Sequence, residues 1–465
     1  MRTKKRNSMA KILWMAVIVL LSLLLAACSG GEEAASTPSP PASQDSRPAD
    51  SSSDASSGME NSADEEDNLF SIREEPIELF FAQTSNGGDQ ATFDEQFGNK
   101  LKELLPHYTF TFKGREGSGI YESWVASGEQ IDILRASIGH TPSMVLSYDL
   151  QQDISDLIEK YNYDLDKLEP STIEAQRQYG GEIYALPINT TSLALFYNKD
   201  IFDTFGVEYP REGMTWDEVH DLAREMTRVH EGRQIRGMTM AFNYMLFLNQ
   251  LSVPHFEPGT HNPSFTSDEF TKVFENFTRF FRIPGNEMTN GKYSLNDMQN
   301  PFREGNVAML MTLSTANFED HINWDLVQLP HFEEKMGIGP QSYPTYFYIT
   351  NLTKNRDAAF QVLMAATSEE YQRFLAETGR IPILKDSGEL LKDFAKDNPF
   401  LRDKNIQAII PEVFAAPTEK TRYQGLADAQ LFRALEDYAA GTDVNTALRE
   451  AEERVRQEIA AQEGN

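Results

Sequence analysis

A buried strand and its polar ending are encoded in the stretch GGEIYALPINTTSLALFYNKDIFDTFGV, residues Gly180–Val207. Within it, Leu193–Tyr197 is an unbroken apolar run, and a short apolar run bounded by polar residues is typical of a buried strand. Asn198 and Asp200 come next, and their side chains can hydrogen-bond the neighbouring backbone and so begin a turn. The stretch therefore predicts a strand in the protein interior that ends in a sharp change of direction.

Strands and helices alternate on the N-terminal side of this stretch. Pro76–Ala82, Tyr108–Phe112 and Gln130–Leu134 are expected to be strands, because each is a short run rich in apolar and β-forming residues. Between them, Phe93–Leu105 and Tyr121–Ser127 have the spacing of amphipathic helices. This alternation predicts an α/β architecture with parallel strands.

Helical patterns dominate the C-terminal side. Thr215-Trp216-Asp217-Glu218 has the form of a capping box, which predicts a helix running to Arg228. Phe270–Phe280 and Asp357–Thr378 have amphipathic spacing, and the last third of the chain is expected to be almost wholly helical. The 390 or so residues from Leu69 onward exceed one typical core and predict at least two domains.

The chain begins with a targeting segment. Its basic start, with five Lys or Arg residues, precedes apolar residues from Ile12 to Leu25 that only Ser22 interrupts. Since a transmembrane helix needs roughly 20 apolar residues, this shorter run predicts a secretory signal peptide, residues 1–27. Leu25-Ala26-Ala27-Cys28 resembles the lipobox of bacterial lipoproteins. Cys28 is the only cysteine, so it has no disulfide partner within the chain, and we expect lipid on it to anchor the protein.

A tether is predicted over residues 28–68. From Ser29 to Asn68 the chain holds ten acidic residues, several prolines and no aromatic or branched apolar residue. Such a segment buries too little surface to offset its ordering entropy, so we expect it to be disordered. The formal charge of the chain is −29, and removal of the signal peptide makes it more negative. A nucleic-acid partner is therefore excluded, because no basic patch of the required size is present.

Motifs of the common enzyme classes are missing from the sequence. No pair of histidines has the spacing of a zinc protease, and no phosphate-binding loop, dinucleotide-binding glycine triplet or nucleophile elbow occurs. We therefore expect no cofactor and no metal. Carboxylates are plentiful, so a glycosidase pair stays open at this point.

Four further blocks extend the pattern of Gly180–Val207. They are MTWDEVHDLAREMT (Met214–Thr227), PFREGNVAML (Pro301–Leu310), TKNRDAAFQVLMAATSEEYQRFLAETGRIP (Thr353–Pro382) and GTDVNTALREAEE (Gly441–Glu453). In this order the blocks resemble the extracellular solute-binding proteins of ABC transporters, family 1, the maltose-binding-like group. The resemblance runs collinearly over roughly residues 72 to 460. Most of these residues are scaffold, so the blocks indicate a family and mark no ligand site.

The resemblance implies a periplasmic-binding-protein type II fold. Such a fold has two α/β lobes, strands that cross between them at a hinge, a helical C-terminal region and a ligand cleft between the lobes. On this basis lobe 1 would comprise residues 69–187 plus about 342–385, and lobe 2 residues 188–341 plus about 386–465.

Polar and aromatic residues at the strand ends are the candidate ligand contacts, because ligands of open α/β sheets bind beyond the carboxyl ends of strands. The predicted ligand-binding residues are Thr84, Ser85, Asn86, Ser137, His140, Asn189, Thr191, Phe242, Tyr244, Thr312, Ser314, Thr315, Tyr346, Tyr423 and Asp428. Sugar-binding relatives often place tryptophans at several of these positions, and this chain has none there. Stacking on a ligand would fall to the four aromatic residues of the set, while Arg135 and His140 could instead recognise an anionic group.

The resemblance implies a function as well. The chain would be a non-enzymatic, monomeric receptor, anchored at the cell membrane through Cys28 and facing the extracellular side. It would capture a small polar solute, with a carbohydrate favoured, and deliver it to ABC permease subunits. Two alternatives stay open: a sensing or scaffolding lipoprotein with no transported ligand, and a surface glycosidase built on carboxylates.

Overall fold

We describe the fold from a computed structural model, which describes residues 75–85, 87–114, 120–288, 291–316, 318 and 322–464. The signal peptide, the lipobox with Cys28, the tether and the candidate Asn86 lie outside the described residues. No helix among the described residues combines the length and the apolarity that a membrane crossing requires.

Five strands form the first sheet: β1 (Ile77–Gln83), β2 (Tyr108–Lys113), β3 (Ile133–Ser137), β4 (Ala185–Asn189) and β10 (Thr345–Ile349). Their order is β2-β1-β3-β10-β4. β1 pairs in parallel with β2 and β3, whereas β10 is antiparallel to β3 and β4. The carboxyl ends of β1, β3 and β4 therefore meet the start of β10 at one edge of the sheet.

The second sheet also has five strands: β5 (Leu193–Asn198), β6 (Arg228–His230), β7 (Arg233–Met240), β8 (Val307–Leu313) and β9 (Trp324–Gln328). Their order is β6-β7-β8-β5-β9. β7 and β8 are parallel, and β5 runs antiparallel to β8 and β9. The start of β5 thus lies at the same edge as the carboxyl ends of β7, β8 and β9.

Three segments cross between the sheets. The first is only residues 190–192, between β4 and β5. Because three residues span at most about 11 Å, this linker keeps the end of β4, and with it that edge of the first sheet, close to the start of β5 in the second. The second crossing precedes β10, and its Tyr343 backbone N–H donates to the Thr191 carbonyl at 3.0 Å. The third crossing segment contains Ile381, and its carbonyl accepts a hydrogen bond at 3.0 Å from the Thr190 N–H of the first segment. The expected hinge-crossing connections are therefore present.

Helices cover both sheets. Their bounds are α1 Gln90–Phe93, α2 Asn99–Leu104, α3 Ile120–Ser127, α4 Ser155–Lys160, α5 Pro170–Arg177, α6 Lys199–Phe205, α7 Trp216–Met226, α8 Phe242–Phe247, α9 Asp268–Thr278, α10 Leu295–Arg303, α11 Arg356–Ala366, α12 Glu369–Glu377, α13 Gln424–Ala439 and α14 Val444–Glu463. α11 and α12 contact the first sheet, while α8 and α9 pack with the C-terminal pair α13 and α14. The two-lobed α/β fold and its helical C-terminal region are confirmed, and the residue limits of the lobes stay a prediction.

Local signals in the sequence explain where several of these helices begin. The Asn198 side chain accepts a hydrogen bond from the Ile201 N–H, so the polar end of β5 is the cap of α6. Thr215 and Glu218 form the predicted capping box of α7. Gly305 has φ +70°, which lets the chain turn from α10 into β8.

Two expectations about secondary structure are wrong. The sheets are mixed rather than parallel, because strands that enter from the other lobe, such as β5 and β10, run against their neighbours. The last third of the chain is also less helical than expected: between α12 and α13 the described helical turns are two 3₁₀ segments, Leu390–Asp393 and Ile406–Ile409. Apolar residues of this stretch, such as Leu390 and Phe394, pack against Phe196 of the second sheet instead.

Candidate ligand-binding site between the two sheets

A cavity of about 230 Å³ lies where the facing edges of the two sheets meet. It is lined by Gly139, His140, Ser143, Asn243, Tyr244, Phe247, Tyr343, Gln424, Gly425 and Asp428. Gly139, His140 and Ser143 follow β3 in the first lobe. Asn243, Tyr244 and Phe247 lie on α8, and Gln424, Gly425 and Asp428 lie on α13. Tyr343 belongs to the crossing segment before β10. The cavity therefore has walls from both lobes and from the hinge.

Larger depressions occur elsewhere on the described surface. One of about 560 Å³ lies beside α7 and α9, and one of about 500 Å³ beside α6. Each is lined by residues of the second lobe alone. A third depression, of about 350 Å³ beside the start of β5, also takes no wall from the first lobe. We therefore take the smaller cavity, which has walls from both lobes, as the candidate site.

Tyr343 is the central side chain of the cavity. Its hydroxyl lies 3.2 Å from Ser137 Oγ of the first lobe. Its ring meets the rings of Tyr244 and Phe247 from the second lobe edge to face, with centroids 5.8 Å and 5.9 Å apart. Gly139 has no side chain to block this approach: a Cβ there would lie 2.5 Å from the Tyr343 hydroxyl. One side chain thus contacts both lobes, and burial raises the pKa of its hydroxyl, which stays protonated.

His140 is held in place from the first lobe. Its Nδ1 lies 3.0 Å from Thr84 Oγ1, at the end of β1. The Thr84 N–H in turn donates to the Arg135 carbonyl at 3.0 Å, so the ends of β1 and β3 are bound together. The Arg135 side chain takes another direction: its guanidinium carbon lies 4.9 Å from the ring centroid of Phe97. Of the two residues predicted to recognise an anion, only His140 lines the cavity.

Asp428 supplies the only carboxylate among the residues that line the cavity. It accepts a hydrogen bond from Gln424 Nε2, one turn earlier on α13, at 2.9 Å. Burial raises the pKa of Asp428 to about 7, although the Gln424 hydrogen bond and the charge of Lys420 oppose the shift. The carboxyl group is therefore costly to ionise while the cavity is empty.

Lys420 lies behind the cavity and is only 4 % exposed. Its Nζ donates to the Phe247 carbonyl at 2.6 Å, to Thr418 Oγ1 at 2.6 Å and to Gln341 Oε1 at 3.4 Å. These three acceptors match the three N–H groups of an ammonium. Burial lowers the pKa of Lys420 to about 7, with the charge of Asp428 opposing the shift.

Several other predicted residues lie near the hinge or at the rim. Asn189 ends β4 just before the first crossing segment, and Thr191 lies within that segment. Both are buried, and Asn189 Oδ1 has no hydrogen-bond partner. Ser314 is bound to that segment, since its N–H donates to the Ser192 carbonyl at 2.8 Å. Ser85 and Thr315 are exposed. None of them lines the 230 Å³ cavity.

Four predicted residues lie in packed interiors instead, and we correct their assignment. Tyr346 is completely buried, and its hydroxyl donates to the Thr172 carbonyl at 2.7 Å. Phe242 packs against Phe274 and Phe432. Thr312 accepts a hydrogen bond from Gln299, and the Tyr423 hydroxyl donates to Glu463 at 3.0 Å. No ring face of Tyr346 or Phe242 is left for a ligand.

The cavity-lining residues that sequence reasoning missed sit beside residues that it named. Tyr343 lies three positions before Tyr346, and Asn243 immediately precedes Tyr244. Gln424 lies four residues before Asp428, which is one helical turn. Helical spacing from Asp428 was thus a usable signal, whereas nothing in the sequence distinguishes Tyr343 from Tyr346. Within the described residues, no group of three or more His, Cys, Asp or Glu side chains is placed to hold a metal ion.

Residues 84–373, more than half of the chain, match the family described as bacterial extracellular solute-binding protein. The chain belongs to this family. It is a solute-binding protein, and the family consists of binding proteins rather than enzymes.

Two binding proteins of Brucella abortus are distant relatives of this solute-binding protein. An sn-glycerol-3-phosphate-binding periplasmic protein of Brucella abortus is 24% identical over 344 residues, 66% of this chain and 75% of that protein. Another binding protein of Brucella abortus is 23% identical over 292 residues, and the match spans 58% of this chain and 66% of that relative's length. Among solved structures, a sugar transporter of Rhizobium etli in an open conformation has a TM-score of 0.65 at 18% identity, covering 82% of this chain and 99% of that one. At this identity the structural similarity shows the fold alone.

Proposed function

We propose that this protein is the lipid-anchored receptor of an ABC importer and that the solute it captures is a carbohydrate. The observation that carries the proposal is the cavity between the sheet edges. It takes its walls from both lobes and from the crossing segment that contains Tyr343. A ligand bound there contacts both lobes at once, which is the arrangement that couples binding to lobe closure.

The chemistry of the cavity suits a sugar. Tyr244, Phe247 and Tyr343 offer aromatic surface, against which the C–H face of a pyranose ring can pack. Ser143, Asn243 and Asp428 offer hydroxyl, amide and carboxylate groups that can pair with sugar hydroxyls. The sugar transporter among the structural neighbours supports the same solute class.

An anionic solute is the rival suggested by the glycerol-phosphate-binding relative. The cavity argues against it, because Asp428 would face the anion and the Lys420 ammonium is already bound by three protein acceptors. A surface glycosidase is also disfavoured, since a single carboxylate lines the cavity and hydrolysis needs two.

Calorimetry tests the solute class. Purified protein is titrated with monosaccharides, oligosaccharides, polyols, peptides and small anions, and we expect heat of binding only with carbohydrates. Tyr343→Ala should weaken that binding at least tenfold, since it removes the central ring of the cavity. Tyr209→Ala, a change to an aromatic residue 38 % exposed elsewhere on the second lobe, is the matched control. Binding of a peptide or an anion alone would overturn the carbohydrate proposal.

Membrane fractionation tests the anchor. Cys28→Ala should move the protein from the membrane fraction to the soluble fraction, because lipid on that thiol is the proposed means of retention. Ligand affinity of the released protein should not change. Retention of the variant in the membrane would show that another part of the chain holds it there.

A further inference from the structure

Two fully buried side-chain atoms of the cavity lack a hydrogen-bond partner, and both are acceptors. Asn243 Oδ1 and Gln424 Oε1 are buried and have no hydrogen-bond partner. The orientation of the Gln424 amide is set by its neighbour, because its Nε2 donates to Asp428 and a carboxylate can only accept. A ligand that satisfies these atoms must supply hydrogen-bond donors.

The Asp428 carboxylate also lacks a counter-ion at close range. No Lys, Arg or His nitrogen of the described residues lies within ion-pair distance of it. Lys420, the nearby cation, directs its N–H groups to Phe247, Thr418 and Gln341. The other titratable groups of the cavity are the hydroxyls of Tyr244 and Tyr343, which burial keeps protonated and neutral, and the imidazole of His140, whose Nδ1 lies 3.0 Å from Thr84 Oγ1.

The burial of the Asp428 carboxylate without a counter-ion in contact determines which ligand group it binds best. A sugar hydroxyl can donate to Asp428 but adds no positive charge beyond that of Lys420, whereas an ammonium supplies both the hydrogen bond and an opposite charge in direct contact. The aromatic lining adds to this preference, since the faces of tyrosine and phenylalanine attract cations. The raised pKa of Asp428 is consistent with a carboxyl group that has no close counter-ion.

We propose that the solute is an amine-bearing carbohydrate whose protonated amino group donates to Asp428, Gln424 and Asn243. This inference rests on the proposed carbohydrate function and narrows it to one class of sugar. The cavity volume of about 230 Å³ suits a single ring, so one aminosugar residue, free or at the end of a longer chain, occupies it. The amine is a ligand group here, and no bond is made or broken.

Titration with matched sugars tests the inference. D-glucosamine, N-acetyl-D-glucosamine and D-glucose differ in one substituent, and only the first carries a charge near neutral pH. We expect glucosamine to bind at least tenfold tighter than the other two. Its binding near pH 6, where Asp428 is mostly protonated and the amine of glucosamine is charged, should also release protons, because the ammonium favours the ionised form of Asp428. Calorimetry in buffers of different ionisation enthalpy measures this release.

Two variants make the outcome decisive. Asp428→Asn keeps the shape and the Gln424 contact but removes the charge, so it should abolish both the preference for glucosamine and the proton release while leaving weak glucose binding. Glu389→Gln, on an exposed carboxylate, should change neither. Glucose or N-acetylglucosamine binding as tightly as glucosamine to the unaltered protein would overturn the inference and spare the carbohydrate function. Absence of binding by all sugars would overturn both.

Discussion

Tyr343 approaches Gly139 in the candidate site, and the approach depends on the missing side chain of the glycine. A Cβ at Gly139 would lie 2.5 Å from the Tyr343 hydroxyl and 3.3 Å from two of its ring carbons. We predict that Gly139→Ala displaces the Tyr343 ring and weakens ligand binding about tenfold or more, measured by calorimetry. Gly388→Ala is the control, since nothing lies within 4 Å of a Cβ there.

Removing the Tyr343 hydroxyl distinguishes a steric clash with the new Cβ at position 139 from a general loss of structure. The double variant Gly139→Ala with Tyr343→Phe lacks the clashing oxygen, so it should regain affinity relative to Gly139→Ala alone. Additive losses in the two single variants would instead mean that the residues act independently.

His255 is a second residue with a testable role, because its buried environment makes the stability of the protein depend on pH. It is 2 % exposed, packs edge to face on Phe265 and Phe270, and its Nε2 has no partner. Burial, with a smaller contribution from the charge of Lys420, lowers the pKa of His255 to about 3. The unfolded chain therefore binds a proton near pH 6.5 that the folded chain does not bind, and stability falls as the pH drops from 6.5 towards 3.

His255→Leu should remove this pH dependence. We expect similar stability at pH 7 and a gain of about 2 to 3 kcal/mol over the unaltered protein at pH 4.5, from two pH units at 1.4 kcal/mol each. Chemical denaturation at both pH values measures the difference. An equal loss of stability on acidification in both proteins would contradict the assignment.

At the scale of single residues, only some of the predicted ligand contacts meet at the candidate cavity, and their role stays a prediction. His140 and Tyr244, predicted from strand ends, line it together with Asp428, which was predicted from the late helical region. Tyr346 does not, because β10 is covered on both faces and all five of its residues are buried. The sequence alone could not show this, since the start of β10 and the face covered by α5 are set by contacts between distant segments.

At the scale of the element, the segment before α13 connects three parts of the structure through one ammonium. Lys420 reaches Phe247 at the end of α8 and Gln341 in the second crossing segment, and its Nζ lies 4.0 Å from the Phe247 ring centroid. Lys420→Met keeps the apolar stem but leaves the Phe247 carbonyl without this donor. We predict a loss of about 1 to 3 kcal/mol of stability, the usual cost of an unpaired buried group.

Denaturation near pH 6 measures that loss, because below its pKa of about 7 Lys420 is an ammonium in the folded protein. Lys392→Met is the matched control: Lys392 is exposed and pairs only with Glu389, so it should change stability by less than about 1 kcal/mol. Unchanged stability of Lys420→Met would mean that water replaces the lost donor.

Elements with strong local signals were predicted well. The capping box placed the start of α7, and the polar end of the quoted stretch placed the cap of α6. β3 begins three residues later than predicted, at Ile133 rather than Gln130. Its limits follow pairing with β1 and β10, which no local pattern encodes. Local preference therefore fixes helix starts in this chain more firmly than strand limits.

At the scale of the whole molecule, the connections between the two sheets decide strand directions that local sequence patterns do not encode. The chain passes between the sheets three times, and the first two passages bring in β5 and β10, which run against their neighbours. Alternating strands and helices predicted the α/β class but not these reversals. The family resemblance supplied the two-lobed arrangement, and the facing sheet edges follow from the three-residue linker between β4 and β5.

Contacts between the lobes suggest how binding and movement are coupled. Gln178, just after α5 in the first lobe, donates from Nε2 to the Pro417 carbonyl at 2.7 Å. Pro417 belongs to a segment held on the second lobe, where Ser252 donates to the neighbouring Ala416 carbonyl at 2.8 Å. The Gln178 bond therefore exists only when the lobes are close together.

We predict that ligand favours this close arrangement and that Gln178→Ala opposes it. Small-angle scattering should show a smaller radius of gyration when a binding sugar is added, because ligand contacts both lobes and shifts the population towards closure. Gln178→Ala removes a contact of the closed form alone, so its ligand affinity should fall severalfold in proportion to the reduced closed population. Gln130→Ala, which loses a hydrogen bond to Asp132 within the first lobe, is the control and should keep full affinity. If sugar binds without any compaction, the lobes are rigid and the binding energy is not coupled to movement.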